Sequence, residues 1–298
     1  MRKTTKGIKA STGERIFNVL NCLIMIGLIV VTLYPFLYII FASLSNSNKL
    51  MAHSGLLFGP IDFTLDAYKA VFKNNSIYTG YSNTLTVLVV GVSLSLLLTF
   101  FGAYGLSRKN LVIKKQLMVF IIITMFVSGG MIPNYNLVTG LHLDDTLWAL
   151  ILPGVISTFN LIIMRTNFEG IPDSLEESAR IDGAGDMTIL FRIILPLSLP
   201  IIAVIGLYYA VGIWNSWFNA MLYIRDRDLY PLQLLLREIL IENEVGAMGN
   251  GADMGDALAV SETIKYAVII VSTLPILVLY PFLQKYFVKG TLTGAVKG

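Results

Sequence analysis

The chain has 298 residues, of which 55% are hydrophobic and only 14% are charged, and its mean hydropathy is +0.71. Soluble domains carry about 25% charged residues, so this composition excludes an ordinary soluble protein and indicates several membrane spans. The net charge of +3 is small. The single cysteine, Cys22, lies in an apolar run, which excludes a disulfide framework.

Six apolar segments are long enough to cross about 30 Å of hydrocarbon as helices. They cover residues 16–42, 83–106, 117–132, 147–165, 197–223 and 263–286. The third is the shortest, because Gly129, Gly130 and Pro133 interrupt its end. We therefore predict an all-α polytopic membrane protein in which residues 1–298 form a single domain, with a core at 16–286 and tails at 1–15 and 287–298.

The distribution of basic residues predicts the orientation of these spans. Most of the 22 lysines and arginines fall in the two tails and in the loops after the second and fourth spans. The positive-inside rule then places both termini and residues 173–196 in the cytoplasm of a cell whose plasma membrane the chain spans several times.

Two of the loops predicted to lie outside the cell contain short amphipathic stretches. We predict a short surface helix at 66–72 and a helix with apolar periodicity at 232–241. The acidic, glycine-rich tract 242–256 lacks the alternating ligand spacing of an EF-hand loop, although an ion site there stays open. It is more typical of a solvated loop that helps to dock another protein.

The cytoplasmic stretch 173–196, DSLEESARIDGAGDMTILFRIILP, predicts a helix, a break and a second helix. Pro172 stands where a helix can begin, and Asp173 with Glu176 three residues later has the spacing of a capping box. A first short helix is therefore expected at about 173–182.

The break in this stretch is predicted from glycine. Gly183 and Gly185 can both take the left-handed conformation that ends a helix. Asp186 can cap the second helix, and Pro196 and Pro200 should disturb the chain that follows. Ser178 and Ala179 would give the first helix a small-residue face, which suits a compact knob that docks into a socket.

The spacing of this stretch resembles the EAA loop of ABC-importer permeases, the loop that engages the ATPase subunit. The residues that carry the resemblance are Glu177, Ala179, Gly183, Ile193, Leu195 and Pro196. The usual second alanine of the motif is Ser178 here, a change of one small residue for another. The segment SLEESARIDGA is similar to the corresponding sequence in the carbohydrate-uptake branch of this family. The resemblance extends over roughly residues 15–298.

The resemblance implies a type I ABC-importer permease fold with a cytoplasmic coupling helix, which moves its substrate by alternating access. It implies a second homologous permease subunit, two ATPase subunits and an extracellular solute-binding protein as partners. It assigns the contact with the ATPase to Glu176, Glu177, Ser178, Ala179, Asp182, Gly183, Ile193 and Pro196.

The sequence contains no phosphate-binding loop of the form GxxxxGK followed by Ser or Thr. ATP and Mg²⁺ would therefore be bound by a partner ATPase, and we predict no cofactor on this chain. Two histidines, no HExxH motif and no Cys/His cluster leave no candidate catalytic or metal residues. The chain is predicted to be a transport subunit and not an enzyme.

Two other classes remain open. An ion-coupled secondary transporter usually places carboxylates near the bilayer midplane, and the six predicted spans hold none at that depth. A non-transport scaffold would leave the polar residues of the spans without a role. Copurification with a stoichiometric soluble ATPase distinguishes the importer from both.

Polar and aromatic residues in the fourth and fifth predicted spans suggest a path for a sugar. Amides can bind hydroxyl groups, and flat rings can pack on the C–H faces of a sugar. Asn215 and Asn219 are four apart and would share one helix face. The candidates are Asn160, Tyr208, Trp214, Asn215, Phe218 and Asn219.

Other readings of these spans stay open. The aromatic residues also suit an interfacial belt. The pair Pro153–Gly154 should break the fourth span, either to line a path or simply to allow packing.

Two further stretches, NSWFNAMLYI and GTLTGAVKG, look like the sub-branch associated with oligosaccharides from complex plant polysaccharides, including pectin and rhamnogalacturonan fragments. No residue reads out one sugar, so importers of malto-oligosaccharides, simple disaccharides, glycerol phosphate or another solute remain open.

Overall fold

The computed structural model describes residues 11–109, 111–249 and 262–278, with the backbone alone for 242–249. Every regular element in these residues is helical, which confirms the all-α prediction. A π-helical turn, Leu190–Ile194, joins α10 to α11. In chain order the helices are α1 (Thr12–Ser43), α2 (Ser47–Met51), α3 (Asp66–Lys73), α4 (Asn75–Ser107), α5 (Lys114–Phe126), α6 (Met131–Gly140), α7 (Trp148–Ile151), α8 (Thr158–Glu169), α9 (Asp173–Ile181), α10 (Asp186–Ile189), α11 (Leu195–Trp214), α12 (Phe218–Tyr223), α13 (Leu232–Gly249) and α14 (262–278).

Within the described residues, three continuous helical stretches are long and apolar enough to cross a membrane. They are Thr12–Ser43, Asn75–Ser107 and Asp186–Trp214, and they overlap the first, second and fifth predicted spans. The third predicted span is bent, because α5 and α6 meet at 110°. The bend lies at the predicted glycine pair, where Gly130 has a φ of +85°. If the bent pair counts as one span, these stretches number four.

The fourth and fifth predicted spans are interrupted. Residues 152–157, which include Pro153–Gly154, separate α7 from α8 as the sequence predicts. The fifth span was predicted at 197–223, but the helix begins at 186 and ends at Trp214. Neither predicted proline ends this stretch: Pro196 follows the π turn directly, where the helical hydrogen bonding is already irregular, and Pro200 lies inside α11.

The remaining predicted elements are partly described. Residues 262–278 are helical within the predicted sixth span, whereas 279–286 and the tails 1–10 and 287–298 lie outside the described residues. The helices predicted at 66–72 and 232–241 are confirmed as α3 and α13, and the apolar residues at the start of α13 are buried. The prediction of a loop from 242 is wrong for 242–249, because α13 continues to Gly249 through residues that include good helix formers. The rest of that tract, 250–256, lies outside the described residues.

The contacts divide the chain into two compact units, whereas a single domain was predicted from the sequence. The first unit lies within residues 1–71 and 245–270. Its small core is formed by Ala42, Leu50 and Leu57. The side chains of α1 from residue 12 to residue 33 are exposed on every side of the helix, as expected for a helix that faces lipid or another subunit.

The second unit lies within residues 72–244 and 271–298 and holds the larger core. Helix α4 packs most extensively against α8 and α11. Ala103 of α4 and Met164 of α8 are fully buried, and the rings of Phe100 and Phe168 meet edge to face at 5.5 Å. The core continues to Leu190 at the π turn and thereby fixes the loop that precedes α11.

Helix α4 approaches the start of α13 closely at Gly80. A methyl group on Gly80 would lie 2.5 Å from Leu235 Cδ1 and 3.2 Å from the backbone Cα of Leu232. Leu232 cannot move freely, because it is fully buried and its amide donates to Thr84 Oγ1 at 2.8 Å. The glycine is therefore required by packing.

We expect Gly80→Ala to destabilise the second unit by about 1–3 kcal/mol, the usual effect of overpacking. Gly105→Ala on the same helix is the matched control, because no atom lies within 4 Å of the added methyl group. Thermal unfolding of the purified protein in detergent would measure both. Equal melting temperatures for the two variants would contradict the close approach at Gly80.

Candidate functional site

The predicted coupling helix is present as α9, Asp173–Ile181. The predicted capping box is absent, because Pro172 occupies the N-cap position and no side chain caps the helix. Asp173 is instead the first helical residue and pairs with Lys109, while Glu176 pairs with Arg108. The two carboxylates that the sequence assigned to capping therefore hold α9 against the end of α4.

A glycine turn joins α9 to α10. Gly183 has a φ of +83°, the left-handed conformation predicted for it. Gly185 was predicted to share this role, but its φ is −79° and it is the N-cap of α10. Asp186 is the first residue of α10 and not its cap, because its carboxylate is bound by Arg180.

The central ion pair beneath α9 joins Arg108 to Glu176. Both side chains are partly buried, with 22% and 16% of their surface exposed. The Arg108 guanidinium also donates to Ser107 Oγ from Nε at 3.0 Å and lies 4.6 Å from the centre of the Tyr104 ring. These contacts fix its orientation towards α9.

Two further ion pairs surround this centre. Lys114 and Arg165 both approach Glu169 Oε1 at 2.6 Å, which ties the start of α5 to α8. Burial would raise the pKa of Glu169, but the Lys114 hydrogen bond and the charge of Arg165 outweigh it and lower the pKa. The hydrogen bond to Asp173 raises the pKa of Lys109.

Arg180 links α9 to α10. Its guanidinium donates to Asp186 and, at 3.2 Å, to Glu176 Oε1. The hydrogen bond to Asp186, followed by that to Glu176, raises the pKa of Arg180. The paired side chains line a polar cavity of about 700 Å³ between α9 and the ends of α4 and α8. Arg108, Glu176, Arg180 and Asp186 therefore form one connected network, which we call the α9 clasp.

The opposite face of α9 is exposed. Ile181 is 86% exposed, and Ser174 and Ser178 lie beside it on the same side. The predicted small-residue face is wrong, because Ala179 packs against the core while Ser178 points outwards. The two residues are adjacent in the sequence, so a helix turns them about 100° apart.

The residues predicted to contact an ATPase therefore divide into two groups. Glu176, Ala179 and Ile193 face the interior of this chain. Glu177, Ser178, Asp182, Gly183 and Pro196 are exposed. Glu177 forms no ion pair within the described part of the chain.

A second cavity, of about 440 Å³, lies in the same unit where the interrupted fourth and fifth spans meet α4. Its volume is in the range of binding sites for small ligands. It is lined by Thr84, Val87, Ser95, Leu150, Ile151, Gly154, Ser157, Phe159, Asn160, Tyr208, Tyr209, Gly212, Ile213, Ser216, Asn219 and Pro231. Hydroxyl and amide groups alternate with apolar side chains, and none of these residues is charged.

Three of the six predicted path residues, Asn160, Tyr208 and Asn219, line this cavity together. The Asn160 residue is 4% exposed. Tyr209 joins the two interrupted spans, because its hydroxyl accepts from the Ser157 amide at 2.9 Å and lies 2.7 Å from Thr99 Oγ1.

The other three predicted residues lie outside the cavity lining. Trp214 is buried and its Nε1 donates to the Ser272 carbonyl at 3.3 Å, so it does not belong to an interfacial belt. Asn215 and Asn219 do not share a helix face, because α11 ends at Trp214. The Asn215 side chain instead donates to the Val211 carbonyl at 2.8 Å, and Phe218 is 42% exposed.

Sequence reasoning missed the contribution of α4 to this cavity. Thr84, Val87 and Ser95 face it, and Gly91 lies on the same side of the helix. Their spacing of three or four residues forms a stripe of small and polar residues on an otherwise apolar helix. That stripe is the signal that could have been read.

Among the described residues, no group of three or more His, Cys, Asp or Glu side chains is arranged to hold a metal ion.

Residues 95–293 match the family model described as "Binding-protein-dependent transport system inner membrane component". Two proteins of Bacillus subtilis (strain 168) are each 46% identical to this chain. Protein LplC aligns over 95% of this chain and 96% of its own length. The polygalacturonan/rhamnogalacturonan transport system permease protein YtcP aligns over 96% and 99%.

A solved structure is similar over most of the chain. It is a bacterial ABC transporter involved in the import of the acidic polysaccharide alginate. The match has a TM-score of 0.86 and 32% identity, and it covers 94% of this chain and 100% of that chain. On the family match, the close relatives and the shared helical fold, the chain belongs to the family of inner-membrane components of binding-protein-dependent transport systems.

Proposed function

We propose that this chain is the permease subunit of an ATP-driven importer that moves oligosaccharides into a bacterial cell. The observation that carries the proposal is the arrangement of α9, whose inner face is tied to α4 while its outer face is exposed. An exposed apolar residue on a firmly anchored helix suits a contact through which another subunit moves this one.

The proposed mechanism is alternating access. Two ATPase subunits, which carry ATP and Mg²⁺, close on ATP binding and move α9. The α9 clasp passes this movement to α4, which has 33 residues and is about 50 Å long. Two of the three residues of α4 that line the 440 Å³ cavity, Thr84 and Val87, lie in the other half of this helix. A shift of α9 would therefore reach the cavity through one continuous helix.

The remaining assembly follows from the family. We propose a second homologous permease subunit and an extracellular solute-binding protein as partners. In this arrangement both termini and α9 are cytoplasmic, and the loop that contains α13 is extracellular. The excess of Lys and Arg in the inner segments supports this orientation.

The proposed substrate is an oligosaccharide derived from a plant or other acidic polysaccharide, such as a pectin or rhamnogalacturonan fragment. The names of the relative YtcP and of the alginate transporter support this class. The alternating hydroxyl, amide and apolar surface of the cavity suits a sugar. An ion-coupled transporter is less well supported, because no carboxylate lines the cavity in the part of the chain that the structure describes.

The exposed face of α9 provides a direct test of the ATPase contact. We expect Ile181→Glu to abolish copurification of the ATPase subunits, because a charge would be buried in the contact. Oligosaccharide uptake should fall at least tenfold. Val112→Glu is the matched control, since Val112 is 92% exposed and lies outside α9. ATPase recovery with Ile181→Glu equal to that of the control would contradict the proposal.

The two adjacent glutamates of α9 allow two roles to be tested separately: the anchoring of α9 to this chain and its proposed contact with the ATPase. We expect Glu176→Gln to weaken the α9 clasp, because Arg108 loses its carboxylate partner and Arg180 keeps only Asp186. Hydrogen exchange in residues 173–186 should then accelerate several-fold. Glu177→Gln should leave the exchange unchanged and lower sugar-stimulated ATP hydrolysis. Faster exchange in the Glu177 variant alone would reverse these roles.

The cavity lining provides a second matched pair of variants. Asn219 lines the cavity, whereas Asn215 caps the end of α11. We expect Asn219→Leu to lower oligosaccharide uptake by about tenfold, the effect of one lost polar contact to substrate, at an unchanged amount of assembled complex. Asn215→Leu should retain most of the uptake. Uptake that falls equally in both variants would contradict the assignment of the cavity as the path.

A further inference from the structure

Arg237 stands out among the charged residues near the start of α13. It lies in the second turn of this helix, and its guanidinium carbon is 3.5 Å from the centre of the Trp217 ring. The residue is half-buried. The guanidinium has five N–H donors, and a buried charge normally finds a charged partner.

The donors of Arg237 have little to bind. Among the described side chains, no carboxylate lies within 4 Å of it, and its Nη1 points at the sulfur of Met221 at 3.8 Å, a weak acceptor. The neighbouring arginines differ in this respect. Arg227 pairs with Glu238 at 3.1 Å, and Arg225 interacts with the Tyr135 side chain.

Residues that line the 440 Å³ cavity lie close in the sequence to both members of the stacked pair. Trp217 lies between Ser216 and Asn219, which both line the cavity. Pro231, directly before α13, lines it as well. The cavity lining contains no charged side chain, whereas Arg237 carries a positive charge six residues after the lining residue Pro231.

We propose that Arg237, stacked on Trp217, binds the carboxylate of an acidic sugar unit as the oligosaccharide enters the cavity, an inference that rests on the proposed import of oligosaccharides. A guanidinium matches a carboxylate with two parallel hydrogen bonds, which distinguishes an acidic sugar from a neutral one. The ring of Trp217 holds the guanidinium plane in place, so little freedom is lost on binding. The exposed ring of Phe218, edge-on to Trp217 at 5.5 Å, offers a flat surface for a sugar face.

A carboxylate on a docking protein is the alternative partner for the same group. The half-burial of Arg237 against Trp217 favours the sugar, because a single sugar unit reaches such a group more easily than the surface of a folded protein does. The test below separates the two.

The experiment uses the purified, assembled importer without its binding protein and measures equilibrium binding of labelled trigalacturonate. We expect Arg237→Gln to raise the Kd by about tenfold or more, the effect of one lost charge-assisted interaction. Arg237→Lys should restore part of the affinity, because the charge returns without the paired donors. Arg227→Gln, which removes one positive charge from the same end, should change the Kd less than threefold.

Several outcomes would overturn the inference. They are wild-type importer that binds only neutral oligosaccharides, an equal loss of affinity in the Arg227 and Arg237 variants, or an unchanged Kd with Arg237→Gln. Unchanged sugar binding together with lost stimulation of ATP hydrolysis by the binding protein would assign Arg237 to protein docking instead. Failure of the wild type to import any oligosaccharide would refute the proposed function itself, which is a different result.

Discussion

The ion pair between Arg108 and Glu176 determines how α9 is held, and much of the second unit is arranged around it. The pair joins residues that are 68 positions apart in the chain, at the end of α4 and in the middle of α9. Because both side chains are mostly buried, removing one partner would leave the other charge poorly solvated. Arg180 extends the pair to α10, so helix, turn and following helix are fixed as one body. A short helix of nine residues would not be rigid without such contacts.

The interruptions of the helices in the same unit follow from a second physical requirement. Backbone groups freed by a break within a membrane must find partners inside the protein or face a polar cavity. The Ser157 amide donates to Tyr209, the Val211 carbonyl accepts from Asn215, and the Leu232 amide donates to Thr84. The breaks also contribute to the cavity, since Ser157 and Ser216 lie in the interruptions and line it beside the polar residues of the helices.

The sequence predicted those features that depend on local chemistry. Apolar length gave the helical membrane fold, Gly183 gave the left-handed turn, and Pro153–Gly154 gave the break before α8. It failed where long-range partners decide. Asp173 and Glu176 have capping spacing, but Lys109 and Arg108, far away in the sequence, bind them. Asn215 and Asn219 have the spacing of one helix face, but α11 ends before both. Periodicity cannot reveal such an ending, because the residues of a broken span remain as apolar as those of a continuous one.

The adjacent residues Glu176 and Glu177 illustrate how the fold assigns different roles to identical side chains. They are the same residue type at consecutive positions, and the rotation of α9 turns their side chains in different directions. That rotation is set by fully buried residues after the turn, Ile189 and Leu190, together with Ala179 on α9, which packs against the same core. Once these are in place, Glu176 faces Arg108, whereas Glu177 stays exposed at the rim of the same cavity and forms no ion pair with the described residues. The charge that holds the helix and the charge that remains available to another subunit are thus both fixed by apolar packing.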